Sequence, residues 1–359
     1  MDRRTFLVST GAAAAAGTAA TAHADERARS TFDVAPRPDA RVVTAHLSPM
    51  FNSPYFRDIA ERFGRHLIAL SDGRVRLELM PTPITNAQGA GDAWFGFVDE
   101  IGTDDPALSY FAGLPVDLGL PADWHRAWLG AAGGQILWDD IAGNSGFKPF
   151  MIGHTAGTSG GWAAHDIATL ADFHDAPVVA TGLVAEVAHR IGARAQTMDA
   201  TRSHAAFADG TVVYAEPQLP FAIAVAEGFG ARGMWWVRDG FRPAGSVMAF
   251  TVANELWHSL SNADRAAISA SAALIDSENA AAQQAHQAMV APHLRTARAI
   301  QATSFPDLVV AGIRHQALDL VVNAAAQDVG TGRVHQAFMA FRAAATGLVA
   351  PDIGARSLA

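Results

Sequence analysis

Gly157-Thr158-Ser159-Gly160-Gly161 fits the pattern Gly-x-Ser-x-Gly and follows an apolar run that reads as a strand. A nucleophile elbow exposes its serine on such a turn, and acyl transfer then needs a downstream acid and a histidine. Asp239 and His258 are available for those roles. The elbow also needs a helix directly behind the serine, and Gly160-Gly161-Trp162 opens a helix poorly. A flexible cleft loop is the better reading, and an exported hydrolase using Ser159 stands as the alternative.

The chain has 14 histidines, which raises the question of a metal. His154, His165 and His174 lie 11 and 9 residues apart, and His286 and His293 are seven apart with no acid between them. None of these spacings is that of a metalloprotease. His189 with Glu186 reads as a helical surface pair. His154 differs, because it sits in a Gly-rich loop after a strand, where open α/β sheets contact ligands.

Glu216 is the carboxylate in the corresponding position, closing the apolar run Thr211-Val212-Val213-Tyr214-Ala215. At a strand end it is either solvated or aimed at a ligand. The aromatic residues Trp94, Phe95, Phe97, Trp162, Trp235, Trp236 and Phe241 stand in loop-like or strand-end contexts. A set of rings facing one cleft would wall a small-molecule pocket at low entropic cost.

Positioning these groups takes a sizeable scaffold. The chain has 359 residues, half of them apolar, with a net charge of -9. That length suggests two domains or one large bilobal one. There is no cysteine, which excludes disulfides, thiol catalysis and cysteine-bound zinc. Lys148 is the only lysine among 26 basic residues, so Schiff-base chemistry is disfavoured. An acidic chain without a basic run does not suit nucleic acid.

Arg41–Ala45 reads as a strand, Ser53–Leu70 as an amphipathic helix and Arg74–Met80 as a half-exposed strand. This β-α-β opening predicts an α/β layer with a parallel sheet. Helix Ala122–Ile141, strand Lys148–Gly153, strand Ala176–Ala180, helix Leu183–Ile191 and strand Thr211–Ala215 follow, with a further strand near Ser246–Thr251. Ser261-Asn262-Ala263-Asp264 is a capping box that opens a helix running to about His293. Helices Pro306–Ala325 and Val334–Ala345 close the chain.

The first 24 residues read as an address. Arg3-Arg4-Thr5-Phe6-Leu7 is a twin-arginine pattern, followed by an Ala/Gly stretch and by Ala22-His23-Ala24, a small-x-small cleavage signature. Twin-arginine export with cleavage after Ala24 predicts a folded, periplasmic protein, and removing Asp2, Arg3 and Arg4 moves its charge from -9 to -10.

Further motifs occur in a fixed order: Asp105-Pro106-Ala107, Ala127-Trp128-Leu129-Gly130, Gly133-Gly134-Gln135, Phe147-Lys148-Pro149-Phe150 and Gly160-Gly161-Trp162. Gly182-Leu183, Glu186-Val187, Ala215-Glu216, Gly228-Phe229, Pro243-Ala244-Gly245-Ser246 and Trp257 complete the series. With them the chain resembles the periplasmic solute-binding subunits of TRAP transporters (the DctP type), nearest the branch that binds 2-oxo acids. The resemblance runs from about Arg41 to Gly347.

It implies a non-enzymatic α/β protein with a two-lobed, type II-like solute-binding fold and long C-terminal helices. The expected organisation is signal 1–24, linker 25–40, lobe one over 41–165, lobe two over 166–247 and shared return segments over 248–359. The implied partners are a small organic solute, the small and large membrane subunits of the transporter and, as in some members of this branch, a second copy of the chain. The resemblance also implies a sodium or calcium ion beside Glu216.

The departures fall on the ligand grip. The family's carboxylate-binding Arg is Val179 here, its Asn is His154, its Gln is Thr158, and the Trp after Glu216 is Pro217. A buried carboxylate without a charged partner costs several kcal/mol, so another cation must take over if the ligand is an acid. His154, Arg242 and Arg238 are the candidates. The second possibility is a neutral, cationic or aromatic ligand held by Glu216 and the rings. The expected ligand-contacting set is Trp94, His154, Thr158, Trp162, Val179, Glu216, Trp235, Phe241 and Arg242.

Overall fold

The computed structural model describes residues 34–102, 105–155, 160–198, 200–226, 228–230, 233–296 and 300–348. The proposed signal segment, Thr158 and Ser159 lie outside the described residues.

The chain opens with strand β1 (Arg41–Leu47), helix α1 (Pro54–Leu70), β2 (Val75–Leu79) and β3 (Ala93–Phe97). Ser53 caps α1 by accepting a hydrogen bond from the Phe56 amide, and Pro54 fills the first turn where no amide is needed. Helices α2 (Leu108–Ala112), α3 (Ala122–Ala131) and α4 (Gly134–Asn144) lead to β4 (Phe147–His154). Where the sequence predicts one helix over Ala122–Ile141, Gly133 takes a φ of +86° and splits it into α3 and α4. A left-handed residue ends a helix, and glycine adopts that conformation at little cost.

Next come β5 (Gly161–Ala163), β6 (Pro177–Val179), α5 (Gly182–Arg190), β7 (Arg194–Gln196), α6 (Ala200–Ala208) and β8 (Tyr214–Ala215). The expected strand Thr211–Ala215 shrinks to its last two residues. The Thr211 and Val212 amides both bond to the Ala206 carbonyl at the end of α6, which takes them out of the ladder. Then follow α7 (Phe221–Ala226), β9 (Trp235–Val237), β10 (Val247–Ala253) and α8 (Asn254–Ser259). Helix α9 (Asn262–Thr296) starts at the expected cap, with the Asp264 amide donating to Ser261 Oγ at 3.1 Å. Strand β11 (Gln301–Thr303) and helices α10 (Asp307–Gln327) and α11 (Val329–Leu348) complete the chain.

The strands form two sheets, ordered β2-β1-β3-β10-β4 and β11-β9-β5-β8-β6-β7. β1 pairs in parallel with β2 and β3, as the β-α-β opening predicts. Each sheet also holds one strand antiparallel to both its neighbours, β10 in the first and β5 in the second. The chain enters the second sheet at β5 and returns to the first at β10.

Two apolar cores flank the sheets, and each draws side chains from both lobes. One joins Phe111, Trp128, Trp138 and Phe338 to Val178, Phe241 and Phe305. The other joins Phe63, Phe95, Phe250 and Ile268 to Trp162, Trp236 and Phe229. No helix among the described residues is long and apolar enough to cross a membrane.

Candidate functional site

Several chain segments meet between the sheets. β4 ends at His154, β6 at Val179 and β8 at Ala215, and a turn at Val98–Glu100 follows β3. The crossover from Arg238 to Ser246 links β9 to β10. Ligands of open α/β sheets sit at such strand ends.

Arg242 lies at the centre. Its side chain is 3% exposed and pairs with Asp99, whose side chain is 2% exposed. The same guanidinium nitrogen donates to Ser246 Oγ at 2.8 Å. The Ser246 amide donates to Thr155 Oγ1 at 2.8 Å, and Thr155 Oγ1 bonds Gln218 Oε1 at 3.3 Å. Gln218 holds a φ of +57°, so the bend after Glu216-Pro217 aims it back at the first sheet. This chain of bonds ties the crossover, the β4 end and the β8 end together.

Asp99 also faces the second lobe. A Cβ placed on Gly182, the first residue of α5, would lie 2.7 Å from Asp99 Oδ1. The carboxylate thus rests against the helix N-terminus, where partial positive charge favours it. Arg242 therefore already has an anion in the folded chain.

Glu216 is buried and uses Oε1 twice, accepting from the Tyr214 hydroxyl at 2.6 Å and from the Phe241 amide. Burial pushes its pKa up, opposed by those two hydrogen bonds and the Arg242 charge. Glu100, in the turn after β3, is buried as well. Glu100 Oε2 accepts from Ser48 Oγ at 2.7 Å and from the Phe97 amide at 3.1 Å. Burial outweighs those bonds and raises its pKa to about 7.

His154 is fully buried, with its ring 5.5 Å from that of His125. Burial first, then the charges of His125, Arg126 and Arg242, hold its pKa well below the usual imidazole value. His125 is lowered to about 4, chiefly by burial. Both rings are neutral at pH 7, so His154 offers hydrogen bonds and no positive charge.

The aromatic residues occupy strands and cores rather than loops. Trp94 lies on β3, fully buried, with its indole N–H on the Ile84 carbonyl at 3.2 Å. Trp162 on β5 packs against Phe221 and Phe229. Phe241 is wrapped by Phe173, Tyr214 and Phe305. Trp235 on β9 is partly exposed, and Val179 is buried at the end of β6. Rings in continuous apolar runs such as Ala93–Phe97, buried at every position, are claimed by the core because they bury the most area. Arg238 and His258 are exposed, and Lys148 bonds Asp139 at 2.5 Å on the outer side of β4.

Sequence reasoning missed Asp99, Glu100, Tyr214, Gln218, Ser246 and His125. Asp99-Glu100 had a legible signal, since two acids directly follow the apolar run Ala93–Val98. Gln218 and Ser246 gain their roles from Thr155, 63 and 91 residues away, whereas Tyr214 and His125 are nearer to their partners and carry no motif of their own.

A cavity of about 370 Å³ lies between the lobes, bounded by Asn86, Asp99 and Glu100 on one side and Thr181, Gly182 and Gln196 on the other. A larger one, about 670 Å³, lies behind the crossover among α3, α9 and α11. Among the described residues no three His, Asp or Glu side chains come together in a metal-binding group.

No protein-family profile matches the chain. A curated monocarboxylate 2-oxoacid-binding periplasmic protein of Nostoc sp. (strain PCC 7120) is 27% identical over 172 residues. That match covers 45% of this chain, which thus spans about half the length of that relative (46%). Among solved structures, a TRAP periplasmic solute-binding protein of Pseudoalteromonas atlantica, with bound sodium and pyruvate, superposes with a TM-score of 0.75 at 18% identity. The alignment covers 86% of this chain and 96% of that one. A TRAP solute-binding protein of Bordetella bronchiseptica, with copurified calcium and picolinate, gives 0.75 at 18% identity over 87% and 94% of the two chains. The architecture expected from the motifs is the one found: this chain has the two-lobed α/β fold of the TRAP periplasmic solute-binding proteins.

Proposed function

We propose that the chain is the periplasmic solute-binding subunit of a TRAP transporter, capturing a small organic acid between its lobes. The observation that carries this is the buried junction of Arg242, Asp99 and Glu216 at strand ends from both sheets. The solved relatives named above hold pyruvate or picolinate with sodium or calcium.

A hard cation takes six or more oxygens. Glu216 supplies a carboxylate whose Oε1 is already committed, so the ligand's own oxygens must complete the shell. On this reading His154 offers no charge, Arg242 is already paired with Asp99 and Val179 leaves the former Arg position apolar, so the bound cation carries the charge that balances an acid. The twin-arginine route with cleavage after Ala24 would deliver the folded protein to the periplasm. There it would meet a small and a large membrane subunit. Exposed Leu308, Leu318, Val322 and Val329 on the last two helices would support contact with a second copy.

The test is a thermal-shift screen of the purified protein against small acids, with and without sodium or calcium. A specific ligand stabilises by ~2.7 kcal/mol at one hundred times its Kd. Cation-dependent stabilisation by pyruvate or another small acid supports the reading, and ester hydrolysis lost on Ser159→Ala overturns it.

A further inference from the structure

We propose that Asp99 is a built-in anion that draws the two lobes together before any solute arrives. The inference goes beyond the solute-binding reading, because it concerns the solute-free chain alone.

Placement gives the first argument. Asp99 stands in the turn after β3 of the first sheet, and α5 follows β6 of the second. The turn and the helix pack against each other across the lobes. A Cβ on Gly182 would lie 2.7 Å from Asp99 Oδ1 and 3.0 Å from its Cγ. Only a residue without a side chain lets the helix come this close.

The helix end gives the second argument. A helix N-terminus leaves amides without intrahelical partners, and a side-chain oxygen of the preceding residue commonly accepts from one of them. Thr181 precedes α5 and makes no such bond. The anion at this helix end therefore comes from the other lobe, and the partial positive charge there favours it.

Arg242 gives the third argument. It lies on the crossover that leaves the second sheet and pairs with the same carboxylate, with both side chains almost fully buried. Its donation to Ser246 Oγ at 2.8 Å holds the guanidinium in place. Charges attract more strongly away from water. Opening the lobes takes the carboxylate off α5 and lets water onto the pair. A solute then enters through the open minority, and its apparent affinity is scaled by that fraction.

Double electron–electron resonance on the purified protein tests this. The chain has no cysteine, so Glu61→Cys on α1 and Glu186→Cys on α5, both exposed, take one spin label each. Native mass spectrometry confirms that the dialysed sample carries no solute. The parent is expected to give a single short, narrow distance distribution. Asp99→Asn should lengthen and broaden it, the closed-to-open ratio falling about 5- to 30-fold. Gly182→Ala keeps the ion pair but pushes the carboxylate off the helix end, so it should open the lobes even if Asp99→Asn fails to fold. A solute-free parent that is already open, or either folded variant as closed as the parent, overturns the proposal. Solute binding is read separately by the thermal-shift screen and stands or falls on that alone.

Discussion

Arg242 and Asp99 form an ion pair that water scarcely reaches, one partner on the crossover between the sheets and the other in the turn after β3. The carboxylate also lies against Gly182 at the start of α5, so one anion serves both a guanidinium and a helix end. An acid ligand approaching Arg242 meets a position already held by a carboxylate of the protein.

Breaking this pair from either side strands a buried charge. Asp99→Asn is expected to cost about 3–5 kcal/mol. Urea unfolding followed by circular dichroism would read this as an earlier midpoint at unchanged slope. Wild-type stability in the variant would show that the pair contributes nothing.

Gly182 has a φ of +54°, and its would-be Cβ meets Asp99. Gly182→Ala should lose at least ~1–2 kcal/mol from backbone strain alone. The contact with Asp99 adds to that loss, and the double variant with Asp99→Asn should therefore be less than additive. Full additivity in the same unfolding measurement would separate the two residues.

Glu216→Gln keeps an oxygen for the Tyr214 hydroxyl and the Phe241 amide but removes the charge. Stabilisation by small acids that depends on sodium or calcium should then vanish, a loss of at least ~1.4 kcal/mol for a tenfold weaker Kd. Thermal shifts with and without the cation measure it directly.

Glu100 makes stability depend on pH in a direction opposite to most carboxylates. Its folded pKa of about 7 lies above the ordinary 4.5. Its contribution is complete below about 4.5 and is lost as pH rises through 7. His125, lowered to about 4, works the other way, contributing fully above 6.5 and losing that as pH falls. Comparison with Glu100→Gln isolates the carboxyl. The parent's stability relative to that variant should decline between about pH 5 and 8 by a few kcal/mol. A difference independent of pH would contradict the burial of an ionisable group there.

Much of the scaffold was legible along the chain. Apolar spacing marked α1, the Ser261 cap marked the start of α9, and the apolar runs marked β1, β4 and β10, because these signals are local. The break at Gly133 was written in two adjacent glycines yet outweighed by the flanking helical pattern. The site was less legible. Glu216 and Arg242 stood out by position, but Asp99 gains its meaning only from Arg242, 143 residues away. The rings of Trp94, Trp162 and Phe241 looked like pocket walls because type and spacing alone do not distinguish a wall from a core.

Helix α9 has one more consequence. At 35 residues it extends ~52 Å. Asn279 bonds the Ile152 carbonyl at 2.6 Å and Asp276 holds Arg126, which fixes its middle to the first lobe, while the helix also packs on α7 of the second. A single continuous rod is thus bonded to one lobe and packed on the other, so any change at its middle is felt by both.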